Sequence, residues 1–165
     1  MLLLVHVALS LYALFAGALV VIGLLKNRDQ QGWTATFLGA SIATSASGYL
    51  FDARAFGPPQ IVGAVSLLAL VVAVFALYVR RLAGPWRPTY VITTLLAFYL
   101  NAFVGVVQAF DKIPPLHALA PNGSGPVFAV AQTALLAVFV LLGFRAVKRF
   151  RPERGTQLTG FASID

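Results

Sequence analysis

Five apolar runs, separated by polar or proline-rich breaks, set the plan of this chain. They predict helices at residues 2–25, 32–50, 60–79, 89–110 and 127–146. At 1.5 Å per residue each comes close to the roughly 30 Å of a bilayer's hydrocarbon core. The breaks are of four kinds. Residues 26–31 read KNRDQQ, and residues 51–59 hold Asp52 and Arg54 and end in Pro58-Pro59. Residues 80–88 form a basic turn with Gly84, Pro85 and Pro88, and residues 111–126 carry four prolines and Asn122-Gly123. The first run has no basic segment before it, unlike a cleaved signal peptide, so it is expected to be retained. The expected fold is all-α, a polytopic membrane protein built as one bundle of five transmembrane helices over residues 1–150. A polar tail, 151–165, follows.

The fourth run breaks the apolar pattern. Thr94, Asn101 and Gln108 recur every seven residues, two helical turns, so they share a face, which Asp111 extends. Ala97 and Gly105 keep that face narrow. An unpaired amide facing lipid costs several kcal/mol, so the stripe must face protein, water or a ligand. The second run offers a matching stripe, Thr34, Ser41 and Gly48, also at sevenfold spacing. Small residues of that kind let helices approach closely. Asn101 is therefore expected to bond another helix near the middle of the bundle, with the seam opening towards Gln108.

Composition agrees with the pattern. Hydrophobic residues make up 59% and charged residues only 10% of the 165, against about a quarter charged in soluble domains. There is no cysteine, which removes disulfides and thiolate chemistry. The net charge of +7 does not point to nucleic acid, because the bases sit at the ends of the apolar runs. Ten of the 12 fall on one side of a five-span chain: Lys26, Arg28, Arg80, Arg81, Arg87, Arg145, Lys148, Arg149, Arg151 and Arg154. Only Arg54 and Lys112 fall on the other. Positive charge marks the cytoplasmic side, so the N-terminus is expected outside and the C-terminus inside.

With that topology the polar groups collect towards the outside. The candidates for a ligand pocket are His6, Asn101, Gln108, Asp111 and Gln132. His6 shares a helical face with Ser10, Ala13 and Gly17. A histidine there can bond a neighbouring helix, ligate a metal or haem, or relay protons. The plainer reading, an interfacial histidine satisfied by a loop carbonyl, ranks first. His117, expected in the outer loop, forms only a weak metal pair with His6 because no fixed spacing links them. For Asn101 inter-helix bonding ranks ahead of ligand contact. Asp52 with Arg54, and Asp111 with Lys112, read as surface ion pairs of small weight. No phosphate loop, HExxH, GxSxG or intramembrane carboxylate pair is present, so no catalytic or metal-ligating residue is assigned and an enzyme is disfavoured.

The runs GWTATFLGASIATSASGYLF and YLNAFVGVVQAF, with KIPPLHALAP after the second and FAVAQ opening the last helix, resemble a widespread family of small bacterial inner-membrane proteins. That family is functionally uncharacterised, so the resemblance transfers no catalytic residue. It covers nearly the whole chain and implies a bacterial inner (cytoplasmic) membrane. The family pattern has proline where this chain has Asp52, so the resemblance implies no general role for Asp52. The expectation is a non-enzymatic protein with an outward-facing polar pocket for a small ligand or lipid, with no cofactor. The alternatives are a subunit or assembly factor docking itself or another membrane protein, and a haem or redox protein using His6. Membrane lipids are the expected partners in every case.

Overall fold

A computed structural model describes residues 2–28, 30–48 and 57–151 of the chain. Asp52, Arg54 and most of the tail lie outside the described residues. The elements are α1 (Leu2–Leu25), α2 (Gln31–Gly48), α3 (Pro58–Val74), α4 (Trp86–Lys112), the short α5 (Pro114–Leu119) and α6 (Pro126–Arg149). No strand occurs among the described residues.

Proline decides where several of these helices begin. Pro58-Pro59 open α3, Pro114-Pro115 open α5 and Pro126 opens α6. Expected as loop residues, these prolines occupy first turns, where the missing N–H has no intrahelical partner to lose. Likewise α4 takes Arg87 and Pro88 into its first turn and Asp111 and Lys112 into its last, so it exceeds the expected 89–110 at both ends. His117, expected in a loop, lies in α5. At the other end of α3 the chain continues through one π-helical turn, Phe75–Val79, before the basic turn.

Helices α1, α2, α3 and α4 form a ring of sequential neighbours closed by α4 on α1, and α6 lies outside it against α4 and α1. Residue pairs fix the directions. His6 at the start of α1 meets Ser47 at the end of α2. Arg87 and Phe110, at the two ends of α4, meet Phe150 and Phe128, at the far and near ends of α6. Thus α2 and α4 run parallel and face each other across the ring, where Asn101 reaches Ser41.

Packing is uneven along the bundle axis. The core holds Val20, Leu24, Phe37, Leu70, Val91 and Leu95, all at or below 4% exposure. These lie in the middle and in the half towards Lys26, Arg80 and Arg87. There Arg87 donates to the Phe150 carbonyl, and the Arg151 N–H donates to Asn27 Oδ1 at 2.6 Å. Arg80 caps the Trp86 ring at 5.3 Å, and Phe75 meets that ring edge-on. In the opposite half, the described stretches 3–12, 45–48, 58–65, 98–109 and 126–135 contain no fully buried residue, and Phe110 and Ala120 are buried at its end. One end is therefore closed and basic, and the other is loose and polar. Nine of the ten described bases belong to the closed end, Lys112 being the exception.

Among the described residues four helices are long and apolar enough to cross a membrane: Leu3–Leu25, Pro58–Val79, Trp86–Lys112 and Pro126–Arg149. The chain is a multi-pass membrane protein. The second helix is less apolar for a structural reason. Thr34, Phe37, Leu38, Ala40, Ser41 and Thr44 are buried, so its polar residues face protein.

Candidate functional site: the polar half of the bundle

The polar side chains of the loose half come from several helices, and those that bond across helices do so on different seams. On the α1/α2 seam His6 Nδ1 lies 2.8 Å from Ser47 Oγ. Ser47 gives its one hydroxyl proton to the Thr44 carbonyl at 3.0 Å. With the hydroxyl proton so placed, Ser47 Oγ accepts from the tautomer of His6 that carries its proton on Nδ1. This partner is a helix side chain, Ser47 of α2. Ser10, Ala13 and Gly17 share the inward face as the spacing requires, with Ala13 fully buried.

Two turns deeper, Asn101 Nδ2 donates to Ser41 Oγ at 3.4 Å, joining α4 to α2 across the ring. This is the inter-helix bond expected of Asn101, made to the expected helix. Ser45 and Ser66 join α2 to α3 at 3.4 Å. Replacing Asn101 with leucine is expected to lower stability by about 1 kcal/mol, the usual weight of one inter-helix hydrogen bond in a membrane. Thermal melting of the purified protein in detergent measures it, and an unchanged midpoint would remove Asn101 from the packing.

The remaining candidates are placed apart from these. Gln132 on α6 donates to the Phe103 carbonyl of α4 at 3.3 Å, on a face of α4 away from Asn101. Gln108 is exposed beyond the packed part of the ring. Asp111 pairs with its neighbour Lys112 at 2.8 Å, both well exposed. His117 is exposed on α5. The structure thus brings His6, Ser47, Thr44, Ser41 and Asn101 into one continuous layer centred on α2. Gln108, Asp111 and Gln132 lie to the α4 side of it. Among the described residues no group of three metal-ligating side chains occurs.

Thr44, whose spacing to Gly48 reads as close helix packing, was not among the pocket candidates. Its hydroxyl is buried at 6% exposure and has no hydrogen-bond partner. It stands one turn above Ser41 on the same face, which was the available signal. The stripes themselves show a gradient. On α4 Thr94 is 1% exposed, Asn101 is half-buried and Gln108 is exposed. On α2 Thr34 and Ser41 are buried and Gly48 is half-buried. Both stripes are sealed at the basic end and open at the other.

No protein-family model, curated protein or solved structure matches this chain.

Proposed function

We propose that the chain spans a bacterial inner membrane five times, N-terminus outside, and admits a small polar ligand or lipid headgroup from the outer side into the layer around α2. The opening of the two facing stripes towards Gln108 and Gly48 carries this reading. The basic residues at the opposite end orient it, because positive charge favours the cytoplasmic side. As a span, α2 has 18 residues and is about 27 Å long, close to the hydrocarbon thickness.

In this reading the layer is non-enzymatic. Imidazole, hydroxyl and amide groups supply hydrogen bonds, and no carboxylate on the described helices enters the layer to serve as a base. Thr44 is the discriminating residue. A buried hydroxyl without a partner costs about 1–3 kcal/mol, and an apolar isostere removes that cost. Thr44→Val is therefore expected to raise the melting temperature of the ligand-free protein. It should also deplete whatever small molecule or lipid co-purifies with the wild type, as read by mass spectrometry of extracts. A variant that keeps the full complement of co-purified molecules would contradict the pocket.

A second reading, a subunit or assembly factor, is favoured by α6. Only Ala146 of that helix is buried, so most of its surface is available to lipid or to a partner chain.

A further inference from the structure

Between α4 and α6, on the outside of the ring, lies an open groove of about 530 Å³. Leu95 and Tyr99 of α4 and Leu136, Phe139 and Gly143 of α6 line it, and Lys148 stands at its end. Nearly all of its lining is apolar apart from that one ammonium, which rests 4.0 Å from the Phe144 ring centroid. The geometry points to a site for one anionic phospholipid, its phosphate on Lys148 and an acyl chain along the groove.

Three observations favour that occupant. The first is length. From Lys148 to Leu136 the groove follows α6 for about 18 Å, and one leaflet's hydrocarbon is about 15 Å deep. A chain whose headgroup sits at Lys148 therefore fills the groove within its own leaflet. The second is shape. Helices that pack in membranes present small residues to each other. Here Gly143 is the one small residue among large aliphatic and aromatic side chains, which suits a flexible chain better than a second helix. The third is charge. Arg145, Lys148 and Arg149 cluster on the last two turns of α6, and no described carboxylate lies at that end. Two copies of this chain sharing one membrane orientation would bring these like charges together across a two-fold axis. An anionic headgroup neutralises them.

This site lies on the outer face of α4 and α6, away from the layer around α2, and does not depend on that layer binding anything. The test uses the full chain, reconstituted in vesicles of phosphatidylcholine containing a minority of phosphatidylglycerol. Native mass spectrometry then counts the lipid that survives extraction. One phosphatidylglycerol is expected to be retained in preference to phosphatidylcholine. Lys148→Gln should cut that preference about fivefold, the weight of one lysine near an anionic surface. Arg149→Gln, which alters a base outside the groove lining, should cut it much less. Gly143→Leu fills the groove without entering the ring and should reduce retention of both lipids with Lys148 intact. Equal retention of the two lipids by the wild type would overturn the site. So would equal losses from Lys148→Gln and Arg149→Gln, which would mark a diffuse basic surface, or full retention by Gly143→Leu.

Discussion

Gly17→Leu is expected to destabilise the bundle by about 3 kcal/mol, the upper part of the usual range for overpacking a closed core. A β-carbon at Gly17 would lie 2.6 Å from Phe98 Cδ2 and 3.0 Å from Phe37 Cε2. The Phe98 ring cannot swing aside, because Phe37 and Phe139 hold it edge-on at 6.1 and 5.0 Å between centroids. Helix propensity favours alanine or leucine over glycine by about 1 kcal/mol, which offsets part of the clash for alanine and little of it for leucine. The α1/α4 contact that closes the ring would have to part. Thermal melting in detergent should show the loss, together with easier proteolysis. A variant as stable as the wild type would mean that α1 and α4 are not in contact at Gly17.

Phe37→Ala should have the next largest effect. Phe37 has no exposed surface, and its ring stands at the crossing of α1, α2 and α4. In a membrane the transfer contribution is small, since lipid solvates an aromatic ring about as well as the protein does. The cost comes from the hole, about 100 Å³ at roughly 24 cal/mol per Å³, or about 2 kcal/mol. The same measurement applies. A loss below about 0.5 kcal/mol would show that the neighbours collapse into the space, and would argue against a rigidly packed basic half.

Much of this architecture was legible in the chain. Helices are set by long apolar runs, and a helix lies at each of the five, four of them long and apolar enough to cross a membrane among the described residues. The sevenfold spacing of Thr94 and Asn101 against Thr34 and Ser41 also identified the facing stripes, because helical period alone places such residues on one side. The ends were less legible. Proline reads as a breaker in sequence, yet at Pro58, Pro114 and Pro126 it starts a helix. His117 was misplaced for the same reason. The groove on α6 was not legible at all. That helix is apolar all round, so its pattern does not reveal which face α4 covers and which it leaves open. Gln132 and Asn101 were grouped by depth in the membrane, but depth does not fix azimuth, and the two point to different seams.

The crossing of α2 and the direction of the polar half are the centre of this account, and the absence of cysteine makes them measurable by single-cysteine labelling. Gly32, Pro58, Ala83 and Ser124 are all exposed positions at the helix ends. Gly32→Cys and Ala83→Cys should resist a membrane-impermeant maleimide added to intact cells, while Pro58→Cys and Ser124→Cys should react with it. Gly32→Cys and Pro58→Cys labelled alike would mean that α2 does not cross, and the reverse pattern at all four positions would turn the polar half towards the cytoplasm.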